Sequence, residues 1–206
     1  MGLAIATGVA ASNGSAGTAL VDGIPQRGTV LGARTATVTV TVIQFEDLGC
    51  THCNDYMTDA FPTIVNDYVR TGLVKVDFRG IGDVNARSSE PALRYTLAAA
   101  RQKKMWQGAE LFYENQSRLN ELATDKGVKR RVAGVKGLNA MQLVTDAKSR
   151  SVKKQAAAHA AEATSRNVPG TPWFFVKVGA AAPKVVRPDA YDGESFSKIL
   201  DEALGR

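Results

Sequence analysis

Apolar and polar positions along this chain keep changing period, and each change marks an element. Residues 38 to 45, Val38-Thr39-Val40-Thr41-Val42-Ile43-Gln44-Phe45, are β-branched, free of Gly and Pro, and nearly continuous in apolar character towards their end. That pattern predicts a buried central strand. After Asp47-Leu48-Gly49 the period becomes helical, with Tyr56, Met57, Ala60, Phe61, Ile64 and Tyr68 on one face. Pro62 lies inside this helix and should kink it, having no backbone N–H to donate. Thr71-Gly72 ends it, and Val74, Val76 and Phe78 then alternate with Lys75 and Asp77 as a half-buried strand does. Upstream, Gly23-Ile24-Pro25-Gln26 enters the fold, and Gly28 and Gly32 punctuate a short edge strand.

Residues 89–165 contain no convincing strand. Helical patterns run over 91–104, 106–122, a Lys/Arg-rich piece near 126–134, and 140–163. Strand character returns at Trp173-Phe174-Phe175-Val176-Lys177-Val178, followed by a turn over 179–183 and a short strand, Lys184-Val185-Val186, predicted to pair antiparallel. Phe196, Ile199, Leu200 and Leu204 then mark a closing amphipathic helix. The order is βαβ, a helical insertion, then ββα, an α/β arrangement. It divides into a tail over 1–22, a sheet-bearing domain over 23–84 and 166–206, and a helical domain over 85–165.

With 44% hydrophobic and 22% charged residues, the chain of 206 residues reads as globular and long enough to bury a core without cross-links. The net charge of +6 raises nucleic acid as a partner. The excess sits in helical pieces, at Lys126, Lys129, Arg130, Arg131, Lys153 and Lys154, as solvated faces, and no nucleic-acid module accompanies it, so no nucleic acid is expected. Residues 1–20 are rich in Ala, Gly, Ser and Thr and lack the basic start of a signal peptide, so they read as a flexible tail without a targeting segment. No stretch reaches the roughly 18 apolar residues of a membrane span.

Cys50 and Cys53 are the only cysteines. A disulfide between them closes too short a loop to constrain the unfolded chain, so a structural role explains it poorly. Zinc would need about four ligands. The chain has two Cys and two His, with His52 inside the motif and His159 in an Ala-rich helix, so no metal is expected. Cys50-Thr51-His52-Cys53 sits where a strand hands over to a helix, which favours a redox pair. Unpaired N–H groups at the helix start should lower the Cys50 pKa, and His52 should add positive charge or a hydrogen bond. Cys53, one turn further in, would be the more buried, resolving thiol. Val168-Pro169-Gly170-Thr171-Pro172 precedes the later strand, and Thr171-Pro172 is expected to be a cis bond. Trp106 is expected in the core of the helical domain, and Trp173 near the active-site face.

On these residues the chain resembles the DsbA-like branch of the thioredoxin superfamily over residues 23–206. It is most similar to a secreted bacterial group with the motif Phe-x-Asp-x-x-Cys-x-x-Cys, here Phe45-Glu46-Asp47-Leu48-Gly49-Cys50-Thr51-His52-Cys53. The Gly-Ile-Pro-Gln entry, Trp106 followed by Leu111-Phe112-Tyr113-Glu114-Asn115-Gln116, and Gly170-Thr171-Pro172 match that group too. The resemblance implies a thioredoxin-like fold with an inserted all-helical domain. It implies a monomeric thiol–disulfide oxidoreductase outside the cytoplasm whose only redox group is the Cys50–Cys53 disulfide, with no added cofactor. Pro172 would pack over the disulfide and the Thr171 backbone would pair with an extended substrate. Partners would be unfolded or reduced exported polypeptides and a quinone-linked membrane protein that restores the disulfide.

Two positions depart from the group. Many members carry Glu six residues before the first cysteine as proton acceptor for the second thiol; here it is Gln44, and an amide takes up no proton. Either Glu46 or Asp47 with water substitutes, or proton transfer at Cys53 is slower, and slower is the expectation. Thr51 stands where strongly oxidising members often have Pro. The direction of electron flow therefore stays open between a disulfide-donating oxidase, favoured, and a reductase or isomerase. A redox-silent peptide-binding or chaperone module is the third reading.

Overall fold

The structure is a computed structural model describing residues 20–33 and 39–206. Most of the expected tail, and Val38 of the expected central strand, lie outside the described residues. Val21 is fully buried in the core and the Arg70 guanidinium donates to the carbonyls of Leu20 and Asp22, so residues 20–22 are packed structure rather than tail.

A six-stranded sheet organises the chain. Its strands are β1 (Gln26–Arg27), β2 (Val30–Leu31), β3 (Val40–Glu46), β4 (Val74–Gly80), β5 (Trp173–Val178) and β6 (Lys184–Val186), in the order β1-β2-β4-β3-β5-β6. Only β3 and β4 run parallel; every other neighbouring pair is antiparallel. A parallel pair needs a crossover. Here it is α1 (Thr51–Asp59), α2 (Phe61–Thr63) and a π-helical stretch, Ile64–Val69. Pro62 breaks rather than kinks the predicted helix: it falls in the first turn of α2, where a missing N–H leaves no bond unmade. The chain then loosens until the Arg70 N–H bonds the Val65 carbonyl, five residues back, at 2.8 Å. The predicted edge strand is a β1–β2 hairpin, turned at Gly28 with φ 61°.

Between β4 and β5 the described chain is helical: α3 (Ser89–Ala99), α4 (Met105–Tyr113), α5 (Leu119–Leu122), α6 (Asp125–Val132), α7 (Ala140–Ala147) and α8 (Arg150–Ser165). The closing helix is α9 (Gly193–Leu204). Two predicted helices are each divided. The 106–122 pattern stops at Tyr113, where the Asn115 side chain donates to the Leu111 carbonyl at 2.8 Å. The 140–163 pattern breaks at Ser149, whose hydroxyl accepts from the Val152 N–H as the N-cap of α8. Apolar spacing runs through both breaks, so periodicity alone does not reveal them.

All seven residues of β3 are buried, because the sheet is covered on both faces. Ile43 and Phe45 pack with Phe175 and with Ala163 of α8. Val40 and Val42 belong to the main core on the other face, where Tyr56 of α1 meets Phe174 and Phe196 of α9 at 4.8 and 5.0 Å between ring centres. Strand residues alternate faces, so Gln44 and Glu46 share the α1 face with Val42. Trp106 of α4 is fully buried and stacks on Phe61 at 5.1 Å, with Phe78 of β4 edge-on at 6.0 Å. It therefore joins the helical block to the sheet and the crossover rather than filling the helical core alone. Trp106→Ala should remove about 3–5 kcal/mol of stability, read as a lowered urea midpoint with unchanged slope.

Candidate active site

The strand-to-helix handover is built around Asp47. Its carboxylate accepts backbone N–H bonds from Gly49 at 2.7 Å, Asp83 at 2.9 Å and Val84 at 3.0 Å. Those bonds tie the turn after β3 to the segment after β4. Gly49 lets the turn lie close to α3: a Cβ there would stand 2.4 Å from Ser89 Oγ. Asp47, expected as a candidate proton relay, thus serves to shape the turn, with its oxygens committed to main-chain donors.

Cys50 is the N-cap of α1, with φ −82° and ψ 124°, and Cys53 lies one turn inside. Both are free thiols. Cys50 keeps 9% of its surface exposed and Cys53 none. Thr51 opens α1 with an exposed side chain. Across from it, the Cys50 thiol donates to the Thr171 carbonyl at 3.2 Å, and the Thr171–Pro172 peptide bond is cis. The Gln116 amide donates to the carbonyls of Leu48 and Cys50 at 3.0 and 2.8 Å, fastening the turn to the helical block.

The two thiols differ sharply in acidity. A hydrogen bond from the Cys53 thiol, then the Thr171 side chain and the backbone N–H groups of Cys53 and His52, bring Cys50 down to about 5 against the opposing effect of burial. Burial, the same bond to Cys50 and the charge of Glu46 push Cys53 far above the ordinary thiol range. The His52 imidazole does not take the part expected of it. It is exposed, 3.4 Å from the Asp55 carboxylate and 6.1 Å from the Tyr191 ring, and His52 acts on Cys50 through its backbone N–H.

Beneath the pair lies a fully buried polar row. Tyr113 Oη donates to Glu46 Oε2 at 2.6 Å, the Gln44 amide donates to Glu46 Oε1, and Tyr56 Oη donates to Gln44 Oε1 at 2.9 Å. Burial raises the Glu46 carboxyl to about 8, with the Tyr113 bond opposing and the Cys50 charge adding. Gln44 therefore donates to a buried acid, Glu46, one of the two carboxyls expected as substitutes for the missing Glu. The shift from position 44 to position 46 keeps the acid on the same strand face, which the period of two already implied. Tyr56 reads in the sequence as a helix-face aromatic and Tyr113 as part of the helix that matches the DsbA-like group; nothing in their spacing marks their hydroxyls as partners of this row. Trp173 is partly buried, on the opposite face from Phe174, with the Arg187 guanidinium 5.2 Å from its ring centre.

Among the described residues, no group of three or more His, Cys, Asp or Glu is arranged to hold a metal ion. A family model described as Thioredoxin matches residues 26–202. No curated protein matches the chain by sequence. Several solved structures share its fold. Oxidised BdbD from Bacillus subtilis is 20% identical with a TM-score of 0.72, covering 89% of this chain and 98% of its own. A thioredoxin-like oxidoreductase from Silicibacter pomeroyi is 25% identical with a TM-score of 0.63, covering 86% and 92%. MdbA, a thiol-disulfide oxidoreductase from Corynebacterium diphtheriae, is 15% identical with a TM-score of 0.68, covering 87% and 93%.

In the reduced protein, iodoacetamide should alkylate Cys50 with a rate that rises with pH around a midpoint near 5, leaving Cys53 unmodified. His52→Ala should leave that midpoint in place, because the imidazole faces Asp55. Mass spectrometry of timed alkylations across the pH range checks both.

Proposed function

The chain belongs to the thioredoxin family, and on that footing we propose that it is a thiol–disulfide oxidoreductase that donates its Cys50–Cys53 disulfide to reduced exported polypeptides. One observation carries the reading: Cys50 caps α1 beside the cis Thr171–Pro172 loop and keeps 9% of its surface accessible, whereas Cys53, one turn in, is fully buried. That placement lowers the pKa of the first thiol and raises that of the second. A substrate thiolate attacks Cys50 Sγ, the Cys50–Cys53 bond breaks, and Cys53 leaves with the bonding electrons. Because Cys53 is so weak an acid, it takes up a proton as it leaves, and we assign that proton to Glu46, the buried carboxyl whose charge acts on Cys53. A second substrate thiolate then attacks the substrate sulfur of the mixed disulfide. Cys50 is expelled as a stable thiolate, a good leaving group. The substrate gains a disulfide, and the protein keeps one thiolate and one thiol. Restoring the disulfide returns the Cys53 proton to Glu46. A carboxyl near pH 8 can both give and take a proton close to neutrality.

The substrate is read as an extended backbone against Thr171 and Pro172. A groove of about 430 Å³ beside Thr171, with Ile81, Val168, Pro169 and the 55% exposed Val84 on its walls, supports this. The sheet-bearing residues 23–84 and 166–206 carry the pair, and residues 85–165 cover it as a helical domain. We place the protein outside the cytoplasm, as a monomer reoxidised by a quinone-linked membrane partner. No helix of the described residues is long and apolar enough to cross a membrane.

Cys50→Ser should abolish oxidation of a dithiol peptide; activity that survived would end the enzyme reading and leave a peptide-binding module. A glutathione redox titration should place the pair well above the roughly −270 mV of thioredoxin, and a value at or below it would make the protein a reductase. Glu46 is protonated below about pH 8 and ionised above it. Disulfide donation should therefore slow as pH rises through 8, and reoxidation should quicken. Glu46→Gln should flatten both profiles and slow each step about 100-fold, measured by stopped-flow fluorescence.

A further inference from the structure

A cavity of about 710 Å³ opens between α1, α2 and α4, walled by Leu20, Met57, Pro62 and Tyr113, with Glu110 from α4 and Glu114 just after it. Its size, and a wall that sets Leu20, Met57, Pro62 and Tyr113 beside the polar Asn54, Thr58, Glu110 and Glu114, suit a small amphipathic molecule. The redox chemistry uses none of these residues except Tyr113. Glu110 is 5% exposed, and neither of its carboxylate oxygens has a hydrogen-bond partner among the described residues. A buried carboxyl left without partners is costly and calls for an explanation. Burial pushes it up to about 9, and the charges of Glu114 and Asp22 push the same way. The Lys104 ammonium lies 3.9 Å from the Asp22 carboxylate.

We propose that this cavity binds a small amphipathic cation, an ammonium or guanidinium on an apolar stem, with its charge against Glu110 and its stem between Leu20, Met57 and Pro62. The ligand supplies the missing donor, and Glu114 adds negative charge at the rim. In the free protein Glu110 holds its proton at neutral pH. Seating a cation beside it drives that proton into solvent and leaves an ion pair shielded from water. The occupant would lie along α1, next to Asn54, the residue that follows Cys53. Binding is read without any thiol exchange, so the proposal and the oxidase reading stand or fall separately.

The test is calorimetry on the full chain at pH 7 with hexylamine, 1-hexanol and hexanoate. Hexylamine should bind at least about tenfold more tightly than hexanol, as a charge-assisted hydrogen bond implies. It should also release protons, seen as a heat that varies with the ionisation enthalpy of the buffer, and hexanoate should not bind. Glu110→Gln should erase the preference for the amine and the proton release while hexanol binding persists. Thr58→Trp, at the exposed rim of the cavity, should weaken amine and alcohol alike and serves where Glu110→Gln folds poorly. Equal binding of amine and alcohol, an unchanged preference in Glu110→Gln, or no binding of the amine would overturn the proposal.

Discussion

The redox pair stands where it does because a single buried carboxylate, that of Asp47, gathers three main-chain N–H groups from two separate segments. The turn after β3 and the segment after β4 are thereby locked side by side. Cys50 is left at the first turn of α1 with unpaired helix N–H groups in reach of its sulfur, and the Thr171 loop closes over it from the far end of the chain. Acidity at Cys50 thus depends on backbone donors and a neighbouring thiol rather than on a charged side chain. Such donors need no counter-ion and are held rigidly by the fold.

That arrangement makes the two sulfurs unequal. Cys50, which keeps a little accessible surface, carries negative charge readily, and the sealed Cys53 does so only at great cost, because no water reaches it. A buried thiol that must gain and lose a proton requires a partner inside the protein. Glu46 sits on the same strand face, fully buried, steadied by the amide of Gln44 and the hydroxyl of Tyr113. Gln44 and Glu46 act as a unit: the amide can donate to the acid whether or not it is ionised, while Tyr56 completes the amide's own bonding.

The helical block is more than a cover. Tyr113, at the end of α4, reaches Glu46; Gln116, just beyond, holds the carbonyls of the cysteine turn; and Trp106, at the start of α4, wedges between Phe61 and Phe78. One short helix therefore both joins the block to the sheet and completes the hydrogen bonding beneath the dithiol.

Local patterning was enough to mark β3, β4, β5, the paired cysteines at a helix start and the helical stretch between the strands, because period, β-branching and breaker residues act within a few positions. The same alternation along β3 puts Glu46 on the face of Gln44. Other features depend on contacts between residues far apart in sequence. The carboxylate of Asp47 turns to the main chain of Asp83 and Val84, the Tyr113 hydroxyl donates to the Glu46 carboxylate, and the Tyr56 hydroxyl donates to the Gln44 amide oxygen. Spacing fixes which face a side chain shares, but which donor meets which acceptor is decided only when strands and helices pack. In that packed interior, burial and hydrogen bonding set the charge of Cys50, Cys53 and Glu46.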